Sequence, residues 1–169
     1  MDSSKIRVTE YGYDWRGRRS HTFLEEDAEG NATHAVSTYD NMGRVIKSER
    51  FLSVQGTSPL SSGSYSPGTS FGGTQPSVAD GLLLARTELF YDERSRNWKT
   101  VQSVVNPTTG NVSGKMQSLT WFDAASRVIK SQGMGENHFT KNVYDSLNRI
   151  VKNYVSTNPA DLTYAILRR

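Results

Sequence analysis

Apolar positions along this chain come in short runs that alternate with polar ones, and turn formers separate the runs at close intervals. "THAVSTY" (33–39) and "RVIKSERFL" (44–52) read as paired strands of a β-meander, and so do "ARTELFY" (85–91) and "RNWKTVQSVV" (96–105). "KMQSLTWF" (115–122) with "RVIKSQG" (127–133), and "HFTKNVY" (138–144) with "RIVKNYV" (149–155), continue the series. Threonine, β-branched and aromatic residues fill these runs, and "DAEGN" (27–31), "NPTTGN" (106–111) and "GMGEN" (133–137) punctuate them. The pattern predicts about ten strands and almost no helix. Only "NPADLTYAILRR" (158–169) has a helical start signal, and it reads equally as the first strand of a truncated hairpin.

The tips between paired runs repeat. "YDWRGRRSHT" (13–22), "YDNMGRVIKS" (39–48), "YDERSRNWKT" (91–100), "FDAASRVIKS" (122–131) and "YDSLNRIVKN" (144–153) share an aromatic, an Asp, two free positions, a small residue and an Arg. The aromatics stand 26, 52, 31 and 22 residues apart. The long gap holds residues 53–80, a Ser/Gly/Pro-rich run that reads as an exposed insertion in the place of a missing repeat. The organisation predicted is two hairpins in 1–52, the insertion in 53–80, three hairpins in 81–156 and a tail or truncated repeat in 157–169.

Each motif position has a physical reason. Asp14, Asp40, Asp92, Asp123 and Asp145 can accept bonds from the N–H groups two or three residues on and close the turn. The small residue suits a left-handed conformation: Gly17 and Gly43 without strain, Asn148 as a second choice, Ser95 and Ser126 as poorer fits whose turns should be strained or differently shaped. With a four-residue loop, Arg18, Arg44, Arg96, Arg127 and Arg149 face Tyr13, Tyr39, Tyr91, Phe122 and Tyr144 of their own copies. Each guanidinium can then lie on a ring while its fork reaches an Asp or carbonyl of the same or next hairpin, clasping copy to copy. Two residues past the Arg, Ile46, Trp98, Ile129 and Val151 should face something dry, with Ser20 the exception. Lys47, Lys99, Lys130 and Lys152 should project to solvent.

These motifs resemble the YD repeats of the Rhs (rearrangement hot-spot) family, whose relatives include teneurins and the shell components of insecticidal toxin complexes. The likeness covers five copies from Tyr13 to about Tyr154. It departs from the usual form at Ser95, Ser126 and in "RRSHT". It implies an all-β meander of consecutive hairpins forming a curved, twisted sheet strip or part of a shell. It implies a structural role at a cell surface or in a secreted protein, with further YD repeats of the same or another chain, or an enclosed polypeptide, as partners; exposed sheet edges favour homo-oligomers, and aromatics on the sheet would suit glycans in an alternative role as a carbohydrate or cell-surface binding module.

Composition adjusts this picture little. The 169 residues suit one ordinary domain, and 35% hydrophobic residues with 17 aromatics suit a folded chain. Nine of the 20 basic residues belong to the repeat, against five of the 17 acidic ones, so the net charge of +3 is spread along the tips and does not point to nucleic acid. No cysteine is present, "GLLLA" (81–85) is far too short to cross a bilayer, and "MDSSKIRVTE" carries no signal-peptide pattern.

No catalytic motif, cofactor cradle or metal set is expected. His21, His34 and His138 lack ligand-like spacing and read as strand or turn residues. One carboxylate per copy, four places before an Arg, serves a turn better than calcium. "GMGEN" has no strand-to-helix setting for phosphate, and "NAT" (31–33) and "NVS" (111–113) are chance-level glycosylation triplets. Trp15, at the first tip, has two readings: a glycan-stacking aromatic, or a side chain packed on the adjoining hairpin.

Overall fold

A computed structural model of the chain describes residues 9–24, 32–53 and 82–157. They form ten strands and, among the described residues, no helix: β1 (Thr9–Tyr13), β2 (Arg19–Leu24), β3 (Ala32–Tyr39), β4 (Val45–Ser53), β5 (Leu82–Tyr91), β6 (Asn97–Val105), β7 (Val112–Phe122), β8 (Val128–Gln132), β9 (Phe139–Tyr144) and β10 (Ile150–Ser156). The sheet order follows the chain from β1 to β10, so the fold is the all-β hairpin meander that the alternation predicts. The tail from 158 and most of the 53–80 stretch lie outside the described residues. The strands flanking that stretch pair directly, Leu52 opposite Leu82 and Lys47 opposite Glu88.

The chain divides into two compact units, Met1–Glu88 with Ser103–Gly114, and Leu89–Gln102 with Lys115–Arg169. In the first, one row of cross-strand neighbours runs Glu10, Phe23, His34, Phe51 and Leu83. A second row, two residues along on β1 to β4 and three along on β5 where the register slips, runs Gly12, His21, Val36, Glu49 and Arg86. Phe51 and Leu83 are buried here. In the second unit β7 pairs β8 and β8 pairs β9, with Val101 of β6 buried.

The register corrects the expected loop. Tyr39 lies opposite Val45, Tyr13 opposite Arg19, Phe122 opposite Val128 and Tyr144 opposite Ile150. The aromatic thus faces the residue after the Arg. Asp and Arg themselves close the loop, the Asp40 N–H donating to the Arg44 carbonyl at 2.9 Å and the Gly43 N–H to the Asp40 carbonyl at 3.1 Å. This is a three-residue loop, a type I turn followed by a left-handed residue. In each of these four hairpins one pair further on the register slips, leaving Ser20, Ile46, Ile129 or Val151 as an extra residue.

That slip also corrects the expected dry face. Val151 and Trp98 are exposed, Ile46 and Ile129 are half-buried, and the excepted Ser20 is the buried member of the set. Lysines differ as well: Lys47 pairs with Glu49 at 2.9 Å, Lys99 lies 5.3 Å from the Phe90 ring, and Lys130 sits between Trp121 and Phe139. Only Lys152 is exposed as expected. Lysine's long apolar stem makes ring contact compatible with a solvated head group.

Candidate functional site

The hairpin tips are built alike. One Asp oxygen accepts two backbone N–H groups, those of Arg16 and Arg18 at Asp14, Met42 and Arg44 at Asp40, Arg94 and Arg96 at Asp92, and Leu147 and Arg149 at Asp145, all at 2.9–3.0 Å. At Asp123 the Arg127 N–H donates at 2.9 Å. Gly17, Gly43, Ser95, Ser126 and Asn148 all adopt positive φ, between 61° and 82°. The serine turns, expected to be strained or different in shape, have the same shape: the Ser95 and Ser126 N–H groups donate to Asp92 and Asp123 at 3.0 Å, as Gly17 does to Asp14 at 2.9 Å. Their strain stays within the left-handed backbone.

The second Asp oxygen takes the arginine of the same turn. Nε reaches it at 2.7 Å from Arg18 and Arg96, 2.6 Å from Arg44 and Arg127, and 2.8 Å from Arg149. The Asp14 and Asp92 carboxyls are held below the ordinary carboxylate range first by these guanidinium bonds. At Asp123 and Asp145 the N–H of Arg127 and Arg149 is the larger cause. At Asp40 desolvation pulls upward, and the Arg44 N–H and guanidinium together override it.

The same guanidinium then reaches the next hairpin. Arg18 lies 4.6 Å from the centroid of the Tyr39 ring, Arg96 4.7 Å from Phe122 and Arg127 4.8 Å from Tyr144. The ring each of these three covers belongs to the following copy, whereas the sequence pointed to the arginine's own copy. NH1 adds a bond across the same step, from Arg18 to the Asp40 carbonyl at 2.9 Å, from Arg96 to the Asp123 carbonyl at 2.9 Å, and from Arg127 to Asn148 Oδ1 at 3.0 Å. In return, the Tyr39 hydroxyl donates to the Arg19 carbonyl at 2.7 Å and the Tyr144 hydroxyl to Val128 at 2.9 Å. The Arg18–Tyr39 and Arg127–Tyr144 joints are therefore tied in both directions.

Two features of the first unit escape sequence reasoning. His21, Phe23, His34 and Phe51 stack as a column, with centroids 5.9, 5.7 and 5.0 Å apart along the series. Burial pushes the His21 and His34 imidazoles down, and His21 adds a charge effect at His34. Beside them buried Glu49 accepts from Lys47 at 2.9 Å and Arg86 at 2.7 Å. Desolvation pulls its carboxyl upward, and these two partners bring it below its ordinary value. The signal for the column is "HTF" beside "THA" and "RFL", but its meaning depends on which strands pair.

Trp15 is 75% exposed, with the Arg16 guanidinium 4.5 Å from its ring. Half-buried His138 lies 3.2 Å from Glu136 at the "GMGEN" turn, where Gly135 has φ 68°. Among the described residues no group of three or more His, Asp or Glu side chains is placed to hold a metal ion, and no helix is long and apolar enough to cross a membrane. No protein-family model and no curated protein matches the chain.

Proposed function

We propose that this chain is a non-enzymatic YD-repeat scaffold, a wall segment of an Rhs-like shell or cell-surface protein. The observation that carries the reading is the two-way joint, in which one Arg closes its own turn on Asp and covers the next copy's ring. The motif residues are spent on one another, and their hydrogen bonds and stacking lock successive hairpins at their tips. That is the chemistry of a wall, and it leaves the Asp and Arg groups of these joints engaged in structure.

The test is electron microscopy of the protein expressed with its flanking coding sequence. Hairpins with the same tip joints, continuing on both sides into an enclosing wall, are expected. A free-standing lobe on an unrelated fold would overturn the reading.

A second reading, a carbohydrate or cell-surface binding module, draws on exposed Trp15 with Tyr11 and Tyr13 four and two residues before it, both half-exposed. Glycan-array binding by the purified chain that vanishes on Trp15→Ala would favour it over the scaffold.

A further inference from the structure

Arg149 and Tyr13 are the two unmatched halves of the joint found within the chain. Arg149 holds Asp145 through Nε and NH2, both at 2.8 Å. Its side chain is nevertheless 71% exposed, against 23%, 21% and 31% for Arg18, Arg96 and Arg127, whose guanidinium groups are covered by a following ring. Among the described residues no such ring covers Arg149. At the other end, Tyr13 is 50% exposed where Tyr39, Phe122 and Tyr144 are half-buried under the preceding copy's Arg.

Strand register sharpens the match. At three steps from one hairpin to the next, the residue three past the Arg lies opposite the residue three before the aromatic: His21 with Val36, Lys47 with Glu88, Lys130 with Lys141. The residue four past lies opposite the one four before, as Thr22 with Ala35, Ser48 with Thr87 and Ser131 with Thr140. Applied to β10 and β1, that register sets Lys152 opposite Glu10 and Asn153 opposite Thr9. The charges are opposite, as they are at Lys47 and Glu88. β10 and β1 are the end strands of the sheet order, and Ile150, Val151, Val155, Tyr11 and Tyr13 leave apolar surface exposed on them.

We infer that β10 of one copy takes β1 of a second copy of this chain, Arg149 covering the partner's Tyr13 ring and Lys152 facing the partner's Glu10. The contact uses different patches on the two copies, so it joins them head to tail. The inference rests on the joint geometry of the proposed scaffold, but its failure would leave the joints inside the chain untouched.

The experiment is sedimentation velocity on the full chain over a rising concentration series, with Arg149→Ala, Tyr13→Ala, Tyr13→Phe and the charge pair Glu10→Lys and Lys152→Glu. Wild type and Tyr13→Phe form a series of growing species. Arg149→Ala and Tyr13→Ala are each monomeric with unchanged circular dichroism, and their equimolar mixture stops at dimers, because one sound end remains on each. Glu10→Lys and Lys152→Glu each weaken assembly at least tenfold, and the double variant restores it. A wild type that stays monomeric, single variants that assemble like wild type, or a closed dimer indifferent to mixing would each overturn the inference. So would assembly that appears only on removal of residues 158–169, since the tail would then be the occupant of this edge.

Discussion

The Arg18 guanidinium lies 4.6 Å from the Tyr39 ring centroid while its Nε stays 2.7 Å from Asp14 Oδ2, so one side chain belongs to two hairpins at once. Arg96 and Arg127 repeat the relationship with Phe122 and Tyr144. Few side chains in the described part of the chain are fully buried, and this tip chemistry stands where a thicker fold would place a core.

Backbone strain at the tips is open to direct measurement. Nothing lies within 4 Å of a Cβ built on Gly43, so Gly43→Ala tests the left-handed φ of 82° alone and should cost about 1 kcal/mol in urea unfolding. Ser126→Gly relieves strain but loses the 3.2 Å bond from Arg96 NH1, and should lie within about 0.5 kcal/mol of wild type. A neutral Gly43→Ala would refute the turn assignment.

Alternation and turn chemistry made the ten strands and the left-handed positions readable in the sequence, because both are local. The register was not. Counting by twos through Tyr39 and Arg44 assumes a regular ladder, whereas the left-handed residue and the slip at Ile46 each insert a residue and exchange the faces beyond. Hence Ile46 and Val151 read as core, and Ser20 took the buried place. The ring covered by Arg18 lies on the adjoining hairpin, and spacing within one copy carries no information about that neighbour.

The ring column holds two of the buried side chains of the first unit, His34 and Phe51. Phe51, buried between His34 and Leu83 in the cross-strand row, should cost about 3–5 kcal/mol on Phe51→Ala, seen as a large fall in the urea midpoint. A loss below about 1 kcal/mol would show that the column is incidental.

Acid sensitivity should come in two stages. His21 and His34 are pushed below 6.5 in the folded protein, so the unfolded chain binds protons first and stability falls as pH drops through about 6.5. The tip carboxyls are also held below their ordinary 3.8, so their contribution is present above that value and lost as pH falls beneath it. Thermal midpoints against pH should show both slopes, and His34→Phe should flatten the upper one. An upper slope unchanged in that variant would contradict the assignment.

The central claim is that guanidinium and ring couple neighbouring hairpins, and Arg96 with Phe122 isolates it because Phe122 has no hydroxyl of its own to bond. A double-mutant cycle in urea with Arg96→Ala, Phe122→Ala and the pair measures that coupling. A coupling energy of about 0.5–1 kcal/mol is predicted. Additivity within about 0.3 kcal/mol would contradict the account.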